Sequence, residues 1–222
     1  MHYVCKRNLA DDHPMVREYS TNPDADFHGL VSDMMGINRF AAKTINLGIM
    51  YGMGVGKLSS QLNVSLDKAK SMMATYNKTF PFIDSIRNLC QSKAGQLHAL
   101  ATLSGRKCRF NHYEPVTFGM GMPLPKEEAI EKWKNTPLKV AWTYKALNRL
   151  IQGSAADQNK AALVKVFNAG ITPLISIHDE ICASGDEHTM EEISRCMREA
   201  IPLKVPVKVD AQIAPTWGGI GK

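Results

Sequence analysis

The sequence predicts an α+β fold, helical through its first two thirds, with strands and packing helices filling the last third. Three observations carry the prediction. Apolar residues recur at helical spacing in the segments beginning at Asn38, Ser65 and Pro81, the period of helices that bury one face. Beyond Gly95 the pattern turns to short apolar runs punctuated by Ser, Gly and Pro. Near the C-terminus two such runs, 173–177 and 181–183, flank His178-Asp179-Glu180 as the arms of a hairpin.

Taken in order, Tyr3-Val4-Cys5 reads as a short strand followed by a polar turn. Pro14 opens a helix over Met15 to Ser20, because its fixed φ suits the first helical position, and Asn22-Pro23-Asp24 stops it. Asp26 to Met35 reads as a short helix closed by Gly36. The strongest helical pattern runs from Asn38, a capping residue, to Met50, and Gly52, Gly54 and Gly56 end it. Ser65 opens a helix with Ala69, Met72, Met73 and Tyr76 on its apolar positions; Pro81 begins another with Ile83, Ile86, Leu89 and Cys90 on one face. Leu97 to Leu103 reads as a strand and Ser104-Gly105 as a turn. Residues 115–137 hold four of the eleven prolines around the charged segment Lys126 to Lys134, an exposed excursion carrying a short helix. Trp142 to Asn168 is helical again, with a break expected at Gly153. A helix from Thr189 to Ala200 and a strand from Val205 to Val209 close the chain. There is no internal repeat.

Bulk properties narrow the function classes. A chain of 222 residues, 44% apolar and 22% charged, has an ordinary globular composition and can bury a core. No run of eighteen apolar residues exists, so no membrane span is expected, and Met1 to Asp12 carries charges where a signal peptide needs an apolar run. The five cysteines are odd in number and never form C-x-x-C, which favours reduced thiols in a cytosol over a disulfide framework or a structural zinc site. A net charge of +6 suits a polyanionic partner without identifying it.

Three constellations carry chemistry. In Arg39-x-x-x-Lys43-x-x-x-Leu47-Gly48-x-x-Tyr51 the residues four apart form one stripe, with both cations in the N-terminal half, where the helix dipole already favours anions. A triphosphate can lie along that half while base and sugar reach Leu47 and Tyr51, and Gly48 leaves room for a flat ligand. By spacing alone, an amphipathic helix with solvated cations stays open. His178-Asp179-Glu180 sets two adjacent carboxylates on a turn held by apolar arms, which suits Mg2+, a cation that takes one or two carboxylates plus substrate phosphates. An ordinary polar turn is the alternative. Asn148 and Gln152 fall one helical turn apart and can present amides to a minor groove, or simply to solvent. Two patterns fail: Gly52-x-Gly54-x-Gly56-Lys57 lacks the Walker A spacing and follows a helix, and His178-x-Glu180 lacks the P-C-x-x-C of zinc deaminases. The run 106–113, Arg106 to Tyr113, mixes basic and aromatic residues as nucleic-acid surfaces do, though a solvated loop explains it nearly as well.

The order and spacing of Arg39…Lys43…Leu47-Gly48…Tyr51-Gly52, then Thr102-Leu103-Ser104-Gly105-Arg106, then Gln152-Gly153-Ser154-Ala155-Ala156-Asp157, then His178-Asp179-Glu180 resemble family A, DNA polymerase I-like DNA polymerases from the fingers helix to the C-terminus. Asn22-Pro23-Asp24-Ala25-Asp26-Phe27-His28 resembles the segment preceding that helix, and the excursion at 115–137 looks more like bacteriophage members. The resemblance implies a remnant of a palm strand and linking helix at 1–22, a mostly helical fingers subdomain at 23–141 and the C-terminal part of an antiparallel-sheet palm at 142–222. It implies templated DNA synthesis from deoxynucleoside triphosphates on primer-template DNA, with Mg2+. His28, Arg39 and Lys43 would bind the triphosphate, with Lys43 also assisting the leaving pyrophosphate, Leu47 beside the sugar and Tyr51 near the templating position. Asn148, Gln152, His178 and Arg106 would contact DNA; Asp179 would ligate metal, with Glu180 as an auxiliary carboxylate. Leu47 departs from the family's Phe or Tyr, and Tyr144 stands about where cellular relatives carry Arg.

The resemblance also implies a partner. Family A chemistry uses two metal ions bridged between carboxylates on two strands, and the second Asp, from a D-Y-S-Q-I-E-like strand, is not in this sequence. Glu18-Tyr19-Ser20 imitates it without the flanking pattern; in register, Met1 falls roughly ten residues or fewer from that Asp. The expectation is a naturally split or truncated polymerase, in a host cytoplasm if phage-encoded, inactive until an N-terminal chain supplies the Asp and the thumb. A non-catalytic nucleic-acid-binding remnant is the alternative. In the polymerase reading, the cationic helix and the acidic turn face a single nucleotide-sized gap.

Overall fold

The computed structural model describes residues 1–117 and 121–219. It is an α+β chain whose described residues form two compact units, Asp26–Ile151 on the one hand and Met1–Ala25 with Gln152–Lys222 on the other. The second boundary falls inside a continuous helix.

In the Asp26–Ile151 unit, three helices start where a short polar side chain accepts a hydrogen bond from an otherwise orphaned backbone N–H. Asp26 caps α3 (Phe27–Met35), Asn38 caps α4 (Arg39–Met50) and Ser65 caps α6 (Leu66–Thr79). The two N-terminal helices of the other unit, α1 (His2–Lys6) and α2 (Pro14–Thr21), precede them in the chain. Gly36 ends α3 with φ +63°, a conformation that costs glycine little. One helix escaped the sequence reading. Its interval, α5 (Val55–Leu62), starts at Gly54 and contains Gly56, so its glycines read as breakers, yet Leu58 anchors it at 2% exposure. Pro81 opens α7 (Pro81–Leu97) as expected. The core gathers Val31, Ala42, Ile45, Leu58, Tyr76, Phe80 and Phe82, all essentially buried. Tyr76 and Phe80 rings lie 4.9 Å apart, and Phe80 and Phe82 6.2 Å, in the tilted and edge-on arrangements aromatic quadrupoles favour.

Beyond α7, β1 (Ala99–Ala101) pairs antiparallel with β2 (Lys107–Arg109), and Gly105 at φ +79° makes the turn between them. A three-stranded antiparallel sheet follows, with β3 (His112–Pro115) between β4 (Leu124–Pro125) and β5 (Leu138–Val140). The short helix read within 115–137 is α8 (Lys126–Lys132). The excursion is more than an exposed loop: it buries Pro115, Ala129 and Trp133 and contributes β4 to the sheet. Its residues 118–120 lie outside the described residues.

The long helix α9 (Ala146–Asn168) passes through Gly153 without the expected break. A single interior glycine costs about 1 kcal/mol relative to alanine, which a helix of this length absorbs. In the other unit, Tyr3-Val4-Cys5 is helical rather than extended: it sits in α1, with Val4 buried and the Tyr3 hydroxyl 2.7 Å from Ser154 Oγ on α9. Three residues are too few for periodicity to separate strand from helix; the tertiary contact decides. The hairpin is present as β6 (Ile175–Ile177) and β7 (Glu180–Cys182), and α10 (Glu187–Arg198) starts earlier than read because Asp186 caps it. Val205 to Val209 is not a strand. Exposure alternates residue by residue from Ile201 to Asp210, the period of an extended chain, but no ladder pairs with it among the described residues.

Tyr76 is fully buried and its hydroxyl has no hydrogen-bond partner among the described residues, so burial pushes its ionisation far above the ordinary range. Tyr76→Phe is expected to leave stability unchanged or raise it by up to about 1 kcal/mol, since it deletes an unpaired polar group. Tyr76→Ala is expected to cost about 3–5 kcal/mol through the cavity it leaves. Urea denaturation of both variants checks the pair, and a large loss in Tyr76→Phe would show that the hydroxyl is bonded.

Candidate nucleotide-binding helix and acidic hairpin

One face of α4 is buried through Ala41, Ala42, Ile45, Asn46, Gly48 and Ile49. The other exposes Arg39, Lys43, Leu47 and, just past the helix end, Tyr51, so the four-residue stripe read from the sequence is a solvent-facing row. Leu47 and Tyr51 are 43% and 53% exposed, more than packing against the protein's own core would leave them. Phe40, beside the row and 70% exposed, drew no attention in the sequence. Gly48 does not serve the purpose read for it. It faces inward, where an added Cβ would sit 2.8 Å from the Met53 sulfur, so its missing side chain admits Met53 and not a ligand.

Arg39 is not a free cation. Its guanidinium donates from Nε to Asp26 Oδ2 at 2.8 Å and from a terminal nitrogen to Asp26 Oδ1 at 3.2 Å, a two-point pair that fixes its plane. Asp26 also accepts the His28 backbone N–H as the cap of α3. The Arg39 hydrogen bonds, then the backbone N–H of Gly29, hold the Asp26 carboxyl down at about 2. Gly29 is small for a reason: a Cβ there would fall 2.8 Å from Asp26 Oδ2.

His28 lies beside this pair. Its Nδ1 is 2.9 Å from Asn46 Nδ2, a donor, which places the proton of the neutral ring on Nε2. Burial lowers the His28 ionisation below its ordinary value, and the charges of Arg39 and Lys43 add to this against the opposing pull of Asp26. Neutral His28, Arg39 and exposed Lys43 thus offer N–H donors along the first turns of α3 and α4, an arrangement suited to phosphate oxygens. Asp26, Gly29 and Asn46 were missed as site residues; the available signal was an N-cap acid thirteen residues before the arginine it binds, a separation no local rule connects.

In the other unit, His178 and Asp179 form the two-residue turn of the hairpin, with His178 in the left-handed region at φ +54°. Histidine is among the non-glycine residues that enter this region most readily. The apolar arms do not hold the turn as read: Ile175 and Ile177 remain more than a third exposed. Asn159 of α9 does, its Nδ2 donating to the His178 carbonyl at 2.8 Å. Asp179 projects into solvent. Glu180 is engaged, accepting from Cys182 Sγ at 3.1 Å and Trp217 Nε1 at 3.2 Å; both bonds lower its carboxyl, the Cys182 bond most. Asn148 is half-buried and Gln152 exposed, one turn apart on α9, and Arg106 is exposed at the end of the β1–β2 turn. No helix is long and apolar enough to cross a membrane among the described residues.

Comparison with known proteins defines the class. The model of DNA polymerase family A matches residues 7–219, and the chain belongs to that family. It is 32% identical to a DNA-directed DNA polymerase of Pseudomonas phage M6 over 90% of this chain and 32% of that one. The thermostable DNA polymerase I of Thermus aquaticus is 29% identical, covering 81% of this chain and 20% of its own length. DNA polymerase DpoZ of Salmonella phage PMBT28 is 28% identical over 97% of this chain and 36% of its own. Among solved structures, the POL domain of Pol1 from M. smegmatis in complex with DNA primer-template and dNTP superposes with a TM-score of 0.70 at 22% identity, covering 95% of this chain and 37% of that one. The chain therefore spans between 20% and 37% of the length of these proteins.

The Asp26–Arg39 pair has a defined pH range. The folded-state value of Asp26, about 2, lies below its ordinary 3.8, so the pair contributes stability that is present above pH 4 and lost as pH falls through about 2. Carboxyl-carbon NMR of Asp26 is expected to show a midpoint well below 3.8. In Arg39→Ala that midpoint is expected to rise toward the ordinary value; an unchanged midpoint would show the pair is not formed in solution.

Proposed function

We propose that this chain carries the incoming-nucleotide face and one metal-ligating carboxylate of a DNA-directed DNA polymerase, acting on primer-template DNA with deoxynucleoside triphosphates. The observation that supports it most is the solvent-facing row Arg39, Lys43, Leu47 and Tyr51 on α4, with the neutral His28 beside its first turn. Donors for a triphosphate stand at one end, and apolar and aromatic surface for sugar and base at the other. The complex named for the M. smegmatis relative, with DNA primer-template and dNTP, is of the same kind.

In this reading His28 Nε2–H, the outward N–H groups of Arg39 and the Lys43 ammonium bind the triphosphate. Lys43 also neutralises the departing pyrophosphate and gives it a proton. Asp26 holds the Arg39 guanidinium in one orientation before nucleotide arrives. Leu47 fills space beside the sugar without stacking or donating a hydrogen bond, and Tyr51 stacks near the templating base. Asn148, Gln152, Arg106 and His178 contact the duplex.

The acidic turn fits Mg2+ in part. An exposed Asp179 on a turn pinned by Asn159 suits a hard cation that binds one or two carboxylates and substrate phosphates. Among the described residues no three His, Cys, Asp or Glu side chains are grouped to hold an ion, so Asp179 fits as one member of a set that a further carboxylate completes. Bound there, Mg2+ would offset the charge of the triphosphate. Glu180, tied to Trp217 and Cys182, steadies the turn from within its own strand.

Two measurements test the reading. Arg39→Ala is expected to weaken binding of a fluorescent deoxynucleoside triphosphate by roughly ten- to a hundredfold, the worth of a charge-assisted two-point contact. Residues 1–222 alone are expected to give no primer extension, and mixing with a polypeptide that supplies the acidic strand and thumb of a family A polymerase is expected to restore it. Nucleotide binding that ignores Arg39, or a mixture that stays inert, would favour the non-catalytic remnant.

A further inference from the structure

Asn159 lies in the interior of α9, a poor place for asparagine, whose short amide competes with the helix backbone. Its side chain is turned to the acidic hairpin. Nδ2 donates to the His178 carbonyl at 2.8 Å and stands 3.5 Å from Ser176 Oγ on β6, so both amide hydrogens are directed at the hairpin. Oδ1 is buried and has no hydrogen-bond partner among the described residues. Exchanging the two amide atoms would not satisfy it, because oxygen would then face the His178 carbonyl, acceptor against acceptor. A buried, unpaired amide oxygen destabilises a fold. An apolar side chain of the same shape would serve α9 better; what asparagine adds is one directed N–H.

That N–H acts one bond away from Asp179. The His178 carbonyl belongs to the peptide unit leading into Asp179, and a planar unit held at its oxygen is held at its nitrogen too. The direction in which the Asp179 side chain leaves the turn follows from that plane. Little else restrains it: Ile175 and Ile177 on the supporting strand are more than a third exposed, and Asp179 itself is exposed. Glu180 has its own donors in Cys182 and Trp217, which restrain the next residue and leave the His178–Asp179 peptide to Asn159. Water can replace a bond to an exposed carbonyl, but it cannot fix the plane.

We propose that Asn159 is a positioning residue for the Asp179 carboxylate, kept in spite of its cost to stability so that the acidic turn stands in one place for a divalent cation. A cation shared with a further carboxylate is held well only when each ligand is already placed, to within about 0.5 Å in a preorganised site. Asn159 does not touch the cation; it acts through the peptide before Asp179. The proposal rests on the polymerase reading for the cation, whereas the fixing of the turn stands apart from it.

Asn159→Leu tests it, because it keeps the shape, removes the unpaired oxygen and deletes the donor. Its melting temperature is expected to stay unchanged or to rise by about 2–4 °C, the reverse of what losing a merely structural bond would do. Nitrogen relaxation of the Asp179 amide is expected to show an order parameter near about 0.85 in the parent chain and below about 0.6 in the variant. In primer extension by the mixture with a polypeptide carrying the acidic strand and thumb, half-maximal rate is expected to need roughly two- to tenfold more Mg2+, the worth of one net hydrogen bond. The KM for deoxynucleoside triphosphate is expected to stay constant, since α4 belongs to the other unit. An Asp179 order parameter that is the same in both chains would overturn the proposal, and so would an Asp179 already mobile in the parent. A lower melting temperature with Asp179 still rigid would make Asn159 structural only. A turn loosened by Asn159→Leu beside a parent mixture that never extends primer would support the positioning role and count against the polymerase reading.

Discussion

Asp26 is asked to do three things with one carboxylate, and the arrangement of the candidate nucleotide site depends on its doing them together. It caps α3 through the His28 N–H, accepts the backbone of Gly29, and binds Arg39 at the start of α4 through two hydrogen bonds. The cap fixes where α3 begins, the ion pair fixes the guanidinium plane, and both together place His28 next to Asn46. An arginine without this anchor would sample many rotamers and lose entropy on meeting a phosphate. Holding it beforehand reduces that loss at the expense of competition from the carboxylate.

The same logic recurs at the acidic turn with different groups. The two-residue hairpin turn places His178 in the left-handed region, and the exposed arms of β6 and β7 do little to hold it. One amide, from Asn159 on α9, does so by bonding the turn's carbonyl. Glu180 accepts hydrogen bonds from Cys182 and Trp217. Two adjacent acids, both exposed, are therefore engaged differently: Glu180 is tied by hydrogen bonds to Cys182 and Trp217, and no side-chain bond ties Asp179 among the described residues.

Aromatic and cationic residues outside these two sites are organised rather than scattered. Gly52, in the left-handed region and pressed on Tyr144, joins the end of α4 to a row that continues through Lys145 and Trp142 to His112. The basic, aromatic stretch 106–113 packs against a later part of the chain: Arg149 lies over the Phe110 ring and donates to the Arg109 carbonyl, and His112 meets Trp142.

Local rules made much of the helical part legible, because caps and periodicity act within a few residues. Asn38, Ser65, Pro14, Pro81 and Gly36 mark helix ends in the structure as their chemistry requires. The exposed row on α4 follows from the 3.6-residue repeat, and the order of motifs identified the family. What tertiary structure alone decided is everything that depends on a neighbour far away in sequence. Tyr3 sits in a helix and its hydroxyl meets Ser154 of α9, Gly48 faces Met53 rather than a ligand, and Val205 to Val209 has the alternation of a strand but no ladder to join among the described residues. Arg39 turned out to be bound to Asp26, and Glu180 to Trp217, for the same reason: an ion pair or hydrogen bond is chosen by distance in space, and the sequence encodes that distance only through the fold as a whole.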